Sequence, residues 1–167
     1  MTALTRAAML GHTDTLNALA GTHNANVEAV DRYGWTALTY ATYGGHTDVV
    51  NLLAGTHNAN VDAVDEDGMT ALMRAAENGH TDIVNALAGT HNANVEAVER
   101  WGYTALMNAA MKGHTDVVNA LAGTHNANVE AVAQNGGTAL MYAAWHGNAD
   151  IVNALAGTHN ALSLIHI

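Results

Sequence analysis

Histidine has the widest chemical reach of any residue in this chain, and it recurs with a fixed stride. Of eleven histidines, five form one series (His23, His57, His91, His125, His159) and four another (His12, His46, His80, His114), each step being 34 residues. Imidazole binds metals and moves protons near neutral pH. The second series lies in a G-H-T-D segment that adds a hydroxyl and a carboxylate. The stride argues against both chemistries. Stacked helices lie about 8–10 Å apart, whereas zinc–nitrogen bonds are about 2 Å. Adjacent rings would have to lean together to share an ion, and no cysteine or carboxylate triad completes a site. Catalysis needs one unique constellation, and here one arrangement is copied along the chain. The expectation is no metal site, no cofactor and no catalytic residue, with each ring hydrogen-bonding backbone in its own or the next unit. Such rings would charge near about pH 6, so acid is expected to loosen the stack.

A second set of residues carries binding chemistry. The segments GTHNAN, T-A-L and V-N-x-L-A-G barely change between copies. Change concentrates in the turn before T-A-L: Arg32, Tyr33 and Trp35; Glu66, Asp67 and Met69; Arg100, Trp101 and Tyr103; Gln134, Asn135 and Gly137. It recurs on the helix that follows: Tyr40, Tyr43 and Gly44; Arg74, Glu77 and Asn78; Asn108, Met111 and Lys112; Tyr142, Trp145 and His146. All three Trp, all five Tyr and, counting Arg6, all five Lys and Arg occupy these positions. Helical positions at i, i+3 and i+4 share a face. That face is expected to point away from the core, because one copy holds Tyr where another holds Glu, Asn or Lys. Clustered Tyr, Trp and Arg dominate protein interfaces. These positions, leaving aside Gly44, Asn78, Gln134, Asn135 and Gly137, are the candidate partner-binding residues. The strongest contributions are expected from the second and fourth units, with Trp35 and Trp101 foremost.

The elements that must hold these side chains are legible in Thr70 to Gly89. Thr70 suits a helix N-cap, and Leu72, Ala75 and Ala76 share one helical face. Asn78-Gly79 ends that helix. Thr81 and Asp82 open a second, with the acid in its first turn. Ile83, Val84 and Leu87 give its buried stripe, and Gly89 suits a left-handed stop. The following THNANVEAVERWG reads as a loop and turn anchored by its valines. Two helices of about ten residues cannot bury their apolar faces alone, but stacked neighbours can.

The order G-x-T-A-L-x-x-A-A-x-x-G-H-x-D-I-V-x-x-L, followed by A-N-V-x-A, resembles the ankyrin repeat across residues 1–161. The resemblance implies an all-α solenoid of stacked helix-turn-helix units, with short β-hairpin-like turns between them. It also implies that the turn and first helix form a concave face that binds a protein partner. The units run from a partial copy at 1–29 through 30–63, 64–97 and 98–131 to a partial copy at 132–161. The chain departs from the family pattern in two ways. T-P-L-H is replaced by T-A-L-T or T-A-L-M, and the period exceeds the roughly 33 usual residues by one. The extra residue is expected in the GTHN loop.

Composition narrows the partners. A net charge of −10 with five Lys and Arg argues against nucleic acid and anionic membranes. No apolar run approaches the roughly 20 residues of a membrane helix. Cysteine is absent, as are G-x-S-x-G, H-E-x-x-H and a Gly-rich phosphate loop. Glu28, Asp62, Glu96 and Glu130 read as a solvated acidic edge. The expected protein is a non-enzymatic, monomeric binding module, cytoplasmic by default. The alternative is a targeting or scaffold segment of a larger enzyme or effector. The final Leu162 to Ile167, LSLIHI, break the repeat. They match the in-frame translation of a transposon-end sequencing adapter, so they are expected to be foreign to a longer natural array.

Overall fold

The computed structural model describes the backbone of residues 1–165 and the side chains of residues 1–157. The reading of Leu162 to Ile167 as a foreign tail lies outside those described side chains. Ten α-helices are present among the described residues, and no strand. The first helices of successive units are α1 (Ala3–Met9), α3 (Ala37–Tyr43), α5 (Ala71–Asn78), α7 (Ala105–Lys112) and α9 (Ala139–Trp145). The second helices are α2 (Thr13–Asn17), α4 (Thr47–Asn51), α6 (Thr81–Asn85), α8 (Thr115–Asn119) and α10 (Ala149–Ile165). Thr70 caps α5 as expected, its hydroxyl accepting the Met73 amide at 3.3 Å, and Thr36, Thr104 and Thr138 do the same in their units. Asp48, Asp82 and Asp116 lie in the first turns of their helices, where they complement the exposed amides.

Helices α2, α4, α6 and α8 do not stop where glycine suggested. Each runs on into one π-helical turn, Ala86–Thr90 after α6, with Gly89 inside it. The His91 amide reaches back to the Ala86 carbonyl at 3.0 Å, and the Ala93 amide to Leu87 at 2.8 Å. A π-turn is a helix holding one extra residue. The thirty-fourth residue of the period is therefore absorbed at the helix end that leads into the loop. The left-handed residue is Asn92, at φ 54°, and Asn24, Asn58 and Asn126 repeat it. Asparagine tolerates that region better than other residues with a Cβ.

The first helices pack in one row and the second helices in a row behind it. Leu38, Leu72 and Leu106 from the front row meet Val50, Val84 and Val118 from the back, all nearly fully buried. Alanines between them let the helices approach closely. Burying each Leu favours folding by about 1.5–3 kcal/mol, and every unit needs its neighbours to do so. In the turn, Asp65 donates its amide to the Met69 carbonyl at 3.1 Å, closing a hairpin-like finger, and Asp31, Glu99 and Ala133 close theirs alike. Of each pair of turn valines only the first anchors. Val27, Val61 and Val95 are half-buried and Val129 is buried, whereas Val30, Val64, Val98 and Val132 are exposed.

Four series of hydrogen bonds join each unit to the next. Fingers are linked through backbone, Glu66 to Tyr33 and Arg100 to Asp67, both at 3.1 Å. His46, His80 and His114 each donate Nε2–H to a carbonyl at the end of the previous first helix, that of Met9, Tyr43 and Glu77. His57, His91 and His125 reach the side-chain oxygens of Asn17, Asn51 and Asn85. Both histidine series are thus staples, as expected, although the second bonds side chains rather than backbone. A carbonyl oxygen only accepts, so Nε2 carries hydrogen in every case. The acidic edge is exposed, as expected, and also supplies the fourth series: Glu28, Asp62 and Glu96 accept the amides of Asn60, Asn94 and Asn128 at 2.8–2.9 Å.

Candidate partner-binding face

The variable face is built on a repeated device that joins each finger to its own helix. One oxygen of the finger carboxylate accepts the amides two and four residues on. Asp31 Oδ1 binds Tyr33 and Trp35, Asp65 Oδ1 binds Asp67 and Met69, and Glu99 Oε1 binds Trp101 and Tyr103, all at 2.9–3.0 Å. The second oxygen is left to face the first helix. In the second unit Asp31 Oδ2 accepts the Tyr40 hydroxyl at 2.6 Å. In the third, Asp65 Oδ2 accepts Arg74 Nη2 at 2.6 Å and Nε at 3.2 Å. In the fifth the carboxylate is replaced by Ala133, and Asn135 accepts the Tyr142 hydroxyl at 2.6 Å instead.

These bonds shape the electrostatics. Burial pushes the Tyr40 hydroxyl up to about 12, and its hydrogen bond to Asp31 adds to the effect. Burial also pushes the Asp31 carboxyl up. Hydrogen bonds from Tyr40 and from the amides of Trp35 and Tyr33 outweigh that and hold it below 3.8. Arg74 also reaches Glu77 at 3.3 Å, and Lys112 of the next unit meets Glu77 at 3.6 Å. Trp35 is wedged against Tyr40, Tyr43 and the Arg74 guanidinium, with centroid distances of 5.1–5.4 Å. Two hollows result. One of about 390 Å³ lies between the second and third fingers, lined by Trp35, Tyr40 and Arg74. The other, about 430 Å³, opens at the fourth unit beside Glu99, Trp101 and Asn108.

Two-helix units at a stride of 34, stapled finger to finger, match the family model described as ankyrin repeats (3 copies) over residues 4–99 and 90–163. The chain belongs to the ankyrin-repeat family. Ankyrin repeats are in general protein–protein interaction modules and typically not enzymes. A search of curated proteins finds no match.

This ankyrin array places the sequence candidates at three depths. Arg32, Tyr33, Tyr43, Glu66, Asp67, Arg100, Trp101, Lys112, Trp145 and His146 are exposed. Trp35, Arg74, Glu77, Tyr103 and Met111 are half-buried. Tyr40, Met69, Asn108 and Tyr142 are buried, which corrects the expectation that the whole helical trio faces outward. The first member of each trio turns in beneath its finger. That position holds Tyr, Arg, Asn and Tyr in turn: Tyr40, Arg74 and Tyr142 each bond a polar group of their own finger, whereas the Asn108 Nδ2 has no partner. The residues missed were Asp31, Asp65 and Glu99. Their signal was present: Asp, Asp, Glu and Ala vary at one register position alongside Tyr, Arg, Asn and Tyr nine residues on. No helix among the described residues is long and apolar enough to cross a membrane.

Proposed function

We propose that this array binds a partner protein through the finger and first-helix face. One observation carries the reading. Tyr33, Tyr43, Trp101 and Trp145 stand exposed on this face, and the rest of the chain contains no Tyr, Trp or Phe. Exposed aromatics of this kind anchor interfaces, since they bury large area with few torsions to fix. Arg32 and Arg100 sit over Tyr33 and Trp101 at 4.7 and 5.9 Å and extend the same surface. Trp35, held on three sides, is the rigid floor of the first hollow rather than a free anchor. Trp101 and Trp145 are therefore the leading contacts.

The test begins with affinity capture, followed by calorimetric titration of the purified captured protein. Trp101→Ala or Trp145→Ala should each weaken binding by about 2 kcal/mol or more. Val98→Ala, an exposed apolar change outside the aromatic set, should leave it unchanged. Equal affinities for all three variants would overturn the reading.

A further inference from the structure

The fourth unit holds two buried polar atoms with no partner, and they belong to one device. Glu99 and Asn108 are 6% and 7% exposed. Glu99 Oε1 is satisfied by the Trp101 and Tyr103 amides, but Oε2 has no hydrogen bond, nor has Asn108 Nδ2. Buried polar atoms in folded proteins are nearly always paired. Both residues line one cavity, and two such atoms beside it point to a site that is completed from outside. The cavity, about 430 Å³, has apolar walls in Met69, Trp101, Tyr103 and Met111.

The preceding unit displays the missing occupant. One repeat earlier, Asp65 stands for Glu99 and Arg74 for Asn108. There the guanidinium spans the gap, bonding the carboxylate through two nitrogens and lying 5.1 Å from the Trp35 ring centroid. In the fourth unit the carboxylate remains, but the cation has been exchanged for a side chain that does not reach it. We propose that the Glu99–Asn108 cavity is a subsite for an arginine side chain of the partner protein. This deepens the proposed function and rests on it.

The chemistry favours arginine over other donors. A carboxylate with one unpaired oxygen suits the forked guanidinium, and aromatic walls favour a flat, weakly hydrated cation over ammonium. Glu77 also lines the cavity, already paired with Arg74 at 3.3 Å and with Lys112, itself an exposed lining residue, at 3.6 Å. The tyrosine that fills the second unit's device is neutral and offers less to a carboxylate in a chain of charge −10. A half turn of the Asn108 amide would present its oxygen to a guanidinium N–H.

The intact chain is titrated with an acetyl-Gly-Arg-Gly-amide peptide and with its neutral citrulline counterpart, following backbone and indole NMR signals. The arginine peptide should shift the Glu99, Trp101 and Tyr103 signals saturably at millimolar concentration. It should bind at least about tenfold more tightly than the citrulline form, the usual advantage of a charged bidentate pair. Asn108→Arg should fill the site from within, raise the melting temperature and abolish the shifts. Glu99→Gln should abolish them as well, and the Asn108 variant keeps the test decisive if that change harms folding. Equal binding of the citrulline peptide, no saturable shift, or shifts that persist in Asn108→Arg would each overturn the subsite. A partner weakened by Trp101→Ala but not by Asn108→Arg would overturn the arginine subsite alone. A partner indifferent to both changes would overturn the wider reading too.

Discussion

Tyr40 donates its hydroxyl to Asp31 across 2.6 Å, and so joins the second finger to the helix that follows it. The same two positions carry an ion pair in the third unit and an unsatisfied pair in the fourth. These two variable positions therefore set, unit by unit, whether the face is closed from within or left open.

The Tyr40–Asp31 bond gives the second unit a defined pH window. The tyrosine is raised from 10.0 to about 12, so its neutral form is favoured by folding. That stabilisation is complete below pH 10 and is lost as pH rises through 12. The aspartate is lowered from 3.8, so its share is present above pH 3.8 and lost as pH falls through the lower folded value. Denaturant melts across pH should show Tyr40→Phe closing the gap to the parent chain at both extremes. A constant difference from pH 3 to 12 would contradict this.

The Asp65–Arg74 pair is nearly enclosed, with the carboxylate side chain 1% exposed. Removing one partner strands the other. Arg74→Ala should destabilise by about 3 kcal/mol. Asp65→Ala should cost more, since it also releases the Asp67 and Met69 amides. A double-mutant cycle should return a coupling of about 1–3 kcal/mol.

Thr42 is fully buried and its hydroxyl has no partner, whereas Ala8, Ala76 and Ala110 fill the same site in other units. Thr42→Ala should stabilise the chain by about 1 kcal/mol, because an unpaired buried hydroxyl is removed at little loss of packing. Calorimetry showing a lower melting temperature would count against that bookkeeping.

Two glycines should respond in opposite directions to alanine. Gly79 lies at φ 74°, and a Cβ there would sit 2.7 Å from the His114 ring. Gly79→Ala should destabilise by about 2 kcal/mol from backbone strain and lost ring contact. Gly55 lies in a helical turn, with its nearest neighbour, His91, at an ordinary 3.5 Å. Gly55→Ala should stabilise by about 0.4–1 kcal/mol by restricting the unfolded chain. Chemical denaturation of both variants decides the matter.

The repeat and its helices were determined by the sequence alone. A stride of 34, threonine caps and recurring Leu, Ala and Val stripes are local signals, carried by the order of residues alone. The split between constant frame and variable aromatics was equally plain. Where the chain turns was less so. Glycine suggested the end of the second helix, but a π-turn carried the helix through Gly89 to an asparagine, because packing against neighbouring units outweighs one residue's preference. Depth was decided by tertiary structure. Tyr40 and Tyr43 look alike in sequence, yet one is buried against Asp31 and the other is exposed. Nothing local separates them. The difference arises from a finger folding back nine residues to place a carboxylate over the helix, which only the stacked structure holds in place.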